Sequence, residues 1–263
     1  TRLHVTPPQA LVPVTYVMDD VVRAISLLVD KGFTYKLGND IYFTIEKFLD
    51  ELPLDRDQAI GIFRERGGDP DRDGKKNPLD PLLWKARSEN DPFWPSRLGD
   101  GRPGWHIECT VISLLFLIGE DFGQSTTSPF LIDVQGGGTD LIFPHHFMTA
   151  VLAKALTGVE FAQKDIHRGM VGLHGEKMSK SKGNLVFVSQ LLDSGVDPAA
   201  IRLALMTTHY SEELDWTSTV LKDAENMLYR IREVLGSGNC APVHSYLEEI
   251  IVALSENFDT PHV

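Results

Sequence analysis

Only two cysteines, Cys109 and Cys240, stand in the 263-residue chain. They lie too far apart in sequence to read as a disulfide framework, so a bridge-stapled scaffold is excluded and a reducing cytoplasm is the expected setting. Basic charge is scarce as well. The 25 Lys and Arg are outnumbered by 37 Asp and Glu, and the net charge of −12 provides no broad cationic footprint for a nucleic-acid backbone. No apolar run approaches the roughly 20 residues that span a bilayer, so no membrane partner is expected. Internal repeats and low-complexity tracts are missing. So are an initial Met and a signal-peptide pattern, and the chain is expected to be a piece of a longer product. What remains is globular: 42% hydrophobic and 24% charged residues suffice for a buried core.

Taken in order, residues 1–5 read as a short strand broken by Pro7-Pro8. Residues 14–31 carry Val17, Val21, Ile25 and Leu28 at helical spacing, stopped by Gly32. Two strands are expected over 35–45 around Gly38-Asn39-Asp40, with Ile41, Phe43 and Ile45 alternating. Residues 50–103 dissolve into turns with an apolar island at 82–84, the pattern of an insertion. An apolar helix over 104–118 places Trp105 and Cys109 on one face. A strand over 130–134 leads into Gly136-Gly137-Gly138-Thr139-Asp140, and Pro144 is expected to open a helix ending at Gly158. Strand, glycine loop and helix together form the ligand-site pattern at the carboxyl end of a parallel sheet. Residues 166–172 should be the next strand edge. Ser189 and Asp197 are expected to cap helices, and 217–235 and 245–257 are amphipathic.

Three lysines fall within six residues at 177–182, among serines and Gly183. Mobile ammonium groups, hydroxyl donors and a flexible glycine suit a phosphate, although a solvated basic loop has the same composition. Few apolar residues anchor this loop, so it is expected to be mobile until it meets a phosphate-bearing ligand. Cys109 and His145 form a second constellation. A thiol on an apolar helix is commonly core and a histidine in a first helical turn commonly a cap, yet both can reach one pocket above the sheet, and thiolate and imidazole are preferred zinc donors. A catalytic zinc needs a third protein ligand, which these two do not supply.

The ordered string Lys177-Met178-Ser179-Lys180-Ser181 resembles the signature loop of class I aminoacyl-tRNA synthetases. Gly101-Arg102-Pro103-Gly104-Trp105-His106-Ile107-Glu108-Cys109, followed by Gly136-Gly137-Gly138-Thr139-Asp140-Leu141-Ile142-Phe143-Pro144-His145-His146, is similar to the cysteine-activating members of that family. The resemblance covers most of residues 1–216. It implies an α/β fold: a partial Rossmann-type class I synthetase catalytic domain with an inserted subdomain and a C-terminal helical bundle. The domains expected are 1–37 and 104–188 for the catalytic halves, 38–103 for the insertion and 189–263 for the helices. It further implies one zinc held by Cys109 and His145 with an upstream cysteine, and ATP as substrate with Mg2+. Trp105 would line the amino-acid pocket, while Gly138, Thr139 and Asp140 would line the adenylate and Val171 the adenine. Lys177 and Lys180 would act on the phosphates, with Met178, Ser179 and Ser181 lining the same substrate, and Asp140 would hold the ribose or take a proton.

Two branches of the family share these motifs, the cysteinyl-tRNA synthetases and the cysteine:glucosaminyl-inositol ligases of mycothiol biosynthesis. The synthetases usually offer a carboxylate four residues after the zinc histidine, where Thr149 stands here. The ligases characteristically carry Glu65-Arg66-Gly67-Gly68-Asp69-Pro70, present intact, though an ordinary turn has that composition too. The resemblance therefore implies L-cysteine, ATP and glucosaminyl-inositol as substrates of a cytoplasmic monomer, with tRNA the alternative acceptor. A degraded, non-catalytic relative is a third reading. Phe147 replaces the glutamate usual after the paired histidines, His146 is expected to be structural, and the His-x-Gly-His motif does not occur, so this piece alone is expected to be inactive.

Overall fold

The computed structural model describes residues 2–89, 91–119, 128–237 and 244–263. The chain packs as two compact units, Ala10–Ile166 and a second made of Thr1–Gln9 with His167–Val263. The sequence reading places its boundaries by motif, at 37, 103 and 188; the units follow from packing.

In Ala10–Ile166 the first long element is α1 (Met18–Asp30), which buries Val21, Ile25 and Leu28 on its apolar stripe. Gly32 ends it with φ 74°, a conformation that costs a Cβ-free residue little. The chain turns into a hairpin of β1 (Thr34–Leu37) and β2 (Asp40–Phe43). Sheet order is β1-β2-β3-β4, antiparallel throughout, with β3 at Leu82–Ala86 and β4 at Gly101–Pro103. The expected alternation along β2 does not hold, because Tyr42 is as buried as Ile41 and Phe43. Its other face is covered: the Tyr42 hydroxyl donates to Asp69, and Arg72 and Lys75 lie 5.2 and 5.3 Å from its ring centre.

The stretch expected to be all turns contains a helix, α2 (Arg56–Glu65). Asp55 caps it, accepting from the amides of Asp57 at 3.1 Å and Gln58 at 3.0 Å. Its outer face is so polar that periodicity does not reveal it; only Ala59 and Phe63 are buried. Those two, with Phe48, Leu79, Leu83 and Trp84, share one core with α1 and with α3 (Trp105–Leu117). The buried Asp80 carboxylate organises the connection, accepting from the Ile45 and Asn77 amides, both at 2.9 Å, and from the Tyr35 hydroxyl at 2.8 Å.

Gly104 sits where β4 passes into α3, its amide bonded to the Leu83 carbonyl at 2.9 Å. A Cβ there would stand 1.9 Å from the Leu82 carbonyl oxygen, and backbone cannot swing aside as a side chain can. Gly104→Ala should therefore fall at the upper end of the overpacking range, about 3 kcal/mol of lost stability. Urea unfolding measures it, and a loss within about 0.5 kcal/mol, the size of a neutral surface change, would refute the tight approach.

Strand β5 (Phe130–Gly138) runs straight through the glycines, pairs with β6 (Glu160–Arg168) and is joined to it by α4 (Phe147–Thr157). Phe143 is extended (φ −136°, ψ 137°) and kinks the chain just before Pro144; residues 144–146 are helical with wider turns and run on into α4, so the chain turns helical at Pro144 as expected. Gly158 ends α4 with φ 81°, as expected.

In the second unit, residues 2–5 form no strand. Strand β7 (Val171–Leu173) pairs antiparallel with β8 (Glu176–Lys177) and parallel with β9 (Leu214–Trp216). Helix α5 (Val188–Asp193) starts after Phe187, so Ser189 lies inside it and is not its cap. Asp197 does cap α6 (Pro198–Met206), accepting from the Ala199 amide at 2.8 Å, and Thr217 caps α7 (Ser218–Gly236). Ile201, Ala204, Leu214, Trp216 and Ala224 make a small core between α6, β9 and α7. In α8 (His244–Ser255) Leu247, Ile251 and Val252 are exposed, whereas Leu191 and Leu192 of α5 pack against the core shared by α6 and α7. Cys240 lies outside the described residues.

Candidate active site

Trp105 is the first residue of α3 and half exposed, and its indole stacks on the His145 ring with centroids 4.1 Å apart and planes at 16°. His106, the next residue, is buried with its Nδ1 3.1 Å from His145 Nδ1. One of these nitrogens must carry the proton and the other accept it. Burial, and then His145, lowers the pKa of His106 to about 3; burial, and then His146, lowers that of His145 to about 4. Both rings are neutral at pH 7. With Nδ1 engaged, Nε2 is the His145 nitrogen left for a ligand, since no hydrogen bond to it is found among the described residues.

Cys109 lies one turn along α3, half-buried and unbridged. Burial and the neighbouring Glu108 raise its thiol pKa, so it stays protonated at pH 7 unless a cation compensates the thiolate. Glu108 itself is raised to about 7 by burial, against the opposing pull of Arg102. The Thr110 hydroxyl donates to the carbonyls of His106 at 2.9 Å and Thr149 at 3.4 Å, fastening α3 to α4 behind the site. The Thr149 hydroxyl is buried and has no hydrogen-bond partner among the described residues. Phe147 turns into apolar surroundings, its ring 5.8 Å from that of Phe143.

A neutral imidazole and a half-buried thiol are donor types that fit zinc, and the His106 contact leaves Nε2 as the His145 nitrogen that could ligate. No group of three His, Cys, Asp or Glu able to hold a metal occurs among the described residues. Cys109 and His145 fit as two ligands of a set that needs a third.

The glycine loop approaches the histidines closely. A Cβ on Gly137 would stand 2.6 Å from His146 Cε1, so the buried His146 serves as a floor for the loop. Gly138, Thr139 and Asp140 follow, all partly buried. Asp140 accepts from Arg66 Nη1 at 3.4 Å, a contact that sequence reasoning did not anticipate.

Arg66 opens onto a cleft of about 340 Å³, a volume within the roughly 300–1,000 Å³ of small-molecule sites. It is lined by Arg66, Gly67, Gly68 and Asp69, by Arg72, Lys85 and Arg102, and by Trp105 and His106. Arg66 to Asp69 of the hexamer and the stacked tryptophan thus line one space. Asp69 is held by Lys75 at 3.0 Å and by Tyr42, and Lys75 is almost wholly buried, with rings of Tyr42 and Phe63 at 5.3 and 5.1 Å. Burial lowers the Lys75 pKa, with Asp69 opposing. Gly68 is required here, since a Cβ would meet the Phe63 ring at 2.5 Å.

The lysine loop and Val171 belong to the other unit. Val171 borders its small core, as does Met178, so the loop has an apolar anchor that the sequence reading did not credit. The loop is tied internally: the Ser179 amide donates to Asn184 Oδ1 at 2.9 Å, the Asn184 side-chain amide to the Lys177 carbonyl at 3.2 Å, and Gly183 closes the turn with φ 65°. Ser179 and Ser181 hydroxyls stand 3.2 Å apart. Lys182 pairs with Glu176 at 3.1 Å, whereas Lys177 and Lys180 are exposed and make no ion pair among the described residues.

Residues 1–226 match the model of the family described as tRNA synthetases class I (C) catalytic domain. The L-cysteine:1D-myo-inositol 2-amino-2-deoxy-alpha-D-glucopyranoside ligase of Stackebrandtia nassauensis is 47% identical over 98% of this chain and 59% of its own length. The ligase of the same name from Streptomyces coelicolor is 49% identical over 99% of this chain and 62% of its own. The chain therefore spans about three-fifths of the length of these relatives. Among solved structures, LeuRS of Agrobacterium radiobacter K84 is similar at TM-score 0.47 and 17% identity, over 64% of this chain and 26% of that one.

Proposed function

Because the chain belongs to the class I tRNA synthetase (C) catalytic-domain family, we propose that it is the larger part of an ATP-dependent ligase that activates L-cysteine and joins it to the amine of glucosaminyl-inositol. The observation that carries the choice of acceptor is the cleft lined by the hexamer's Arg66 to Asp69 and by Trp105. Guanidinium forks, carboxylates and an aromatic face are groups suited to a polyhydroxylated molecule. The relatives named as this ligase support the same reading.

The reaction has two steps. The cysteine carboxylate attacks the α-phosphorus of ATP, a P–O bond breaks and pyrophosphate leaves. The acceptor's amine nitrogen then attacks the adenylate carbonyl, the C–N bond forms as the C–O bond to phosphate breaks, and AMP leaves while the ammonium proton passes to a base or to water. Lys177 and Lys180 would follow the charge on the phosphates, a task of positioning and electrostatics, in company with Mg2+ held on ATP. Met178, Ser179 and Ser181 would shape that loop around the nucleotide and Val171 would lie by the adenine, with Gly138, Thr139 and Asp140 along the adenylate. Trp105, packed on His145, would form one side of the amino-acid pocket. Cys109 and His145, with an upstream cysteine, would hold one zinc, whose contribution when bound is a soft Lewis acid that prefers the substrate thiolate to a hydroxyl. A monomer in a reducing cytoplasm would suit this chemistry. No helix among the described residues is long and apolar enough to cross a membrane.

The product decides between acceptors, since pyrophosphate exchange is common to both. Full-length protein with ATP, cysteine and glucosaminyl-inositol is expected to yield the cysteinyl amide by mass spectrometry. Esterified tRNA without any amide would replace this reading with that of a cysteinyl-tRNA synthetase.

A further inference from the structure

Arg66 both lines the cleft and contacts the glycine loop at Asp140. Its position is imposed by backbone. It caps the end of α2, its amide bonded to the Ile62 carbonyl at 3.0 Å, and the chain beyond it is pinned by the Gly68 amide on the Phe63 carbonyl at 2.8 Å. Phe63 and Ala59 of α2 are buried in the core that also takes Phe143, three residues after Asp140. Helix end and loop therefore rest on common packing, and the guanidinium that spans them is about one-third exposed, as is Asp140. Asp140 has no other ion-pair or hydrogen-bond partner among the described residues. Arg66 uses one donor on it, leaving four of five for a molecule in the cleft.

We propose that Arg66 is a positioning residue that, through its contact with Asp140, couples the acceptor cleft to the adenylate, so that each ligand raises the affinity for the other. This rests on the assignment of the cleft to the acceptor and of Asp140 to the adenylate. An acceptor that takes the free N–H groups of Arg66 immobilises the guanidinium, and the carboxylate it holds then loses less freedom when it meets the adenylate. Such coupling is reciprocal and typically amounts to about 5–150-fold.

The test is calorimetric titration of full-length, zinc-loaded protein with a non-hydrolysable sulfamoyl analogue of cysteinyl-adenylate, with and without saturating glucosaminyl-inositol. In the wild type the acceptor should tighten analogue binding by at least about fivefold. Arg66→Gln should bring that ratio to near unity, Arg66→Lys should restore part of it, and Asp140→Asn should lose it without further loss in the double variant, as expected of two residues acting as one unit. Melting temperatures identify any variant that fails to fold, in which case the coupling ratio in the remaining single variants decides the test. A wild-type ratio of one, or a ratio preserved in Arg66→Gln, overturns the proposal. If the wild type also makes no amide from glucosaminyl-inositol, the acceptor assignment fails with it; if amide is made and the ratio is one, the coupling alone is wrong.

Discussion

Lys180→Ala is expected to lower cysteine-dependent pyrophosphate exchange by about 10²–10³-fold, the loss typical when one group that stabilises transition-state charge is removed. The ammonium of Lys180 is exposed and makes no ion pair among the described residues. Lys182 is different, because its ammonium is engaged by Glu176. The three lysines of the loop therefore separate into two with free charge and one with a structural partner. Lys177→Ala should resemble Lys180→Ala, and Lys182→Ala should change exchange far less. Stability should hardly move in the first two, since exposed side chains without partners contribute within about 0.5 kcal/mol. Exchange assays on full-length protein, with melting curves alongside, check this. Equal losses in all three variants, or normal exchange in Lys180→Ala, would remove the phosphate role from the loop.

The second large effect is expected at the thiol and imidazole. Cys109→Ser and His145→Ala should each lower zinc content of the full-length protein by at least about tenfold after dialysis, because losing even an outer partner of a ligand commonly costs 10–100-fold in affinity. The two sites predict different side effects. Cys109→Ser exchanges atoms of similar size in a half-buried position and should fold normally. His145→Ala also removes the ring on which Trp105 stacks and the Nδ1 partner of His106, leaving a buried polar group unmatched. It should cost stability as well as metal, by roughly 1–3 kcal/mol. Metal analysis and thermal melts separate these contributions, and zinc content unchanged in both variants would dismiss the site.

The elements that the sequence reveals are those whose local chemistry needs no partner. Val17, Val21, Ile25 and Leu28 mark α1 by spacing alone, Asp197-Pro198 marks the start of α6, and Gly32, Gly38 and Gly158 take the positive φ that their places require. The motif residues are legible for a related reason, since phosphate and thiol chemistry restrict which side chains serve. Lys177 to Ser181, Cys109, His145 and the hexamer from Glu65 stand out in the sequence alone.

Other features came only from the folded chain. Helix α2 escapes the periodicity because only Ala59 and Phe63 turn inward, and Tyr42 breaks the alternation of β2 because Asp69, Arg72 and Lys75 cover the face that a two-residue period assigns to water. The end of the glycine run shows the same dependence: β5 continues through it, since paired strands and the floor of His146 hold glycines extended that in isolation would favour a turn. Sequence by itself determined the family, because it resides in residue types and their order. Tertiary structure alone decided that Trp105 stacks on His145, that His106 meets it Nδ1 to Nδ1, and that Arg66 of the hexamer meets Asp140, 74 positions further along the sequence. Those contacts depend on where packing of α2, α3 and the kinked segment 142–146 brings side chains together, and no local pattern records a distance through space.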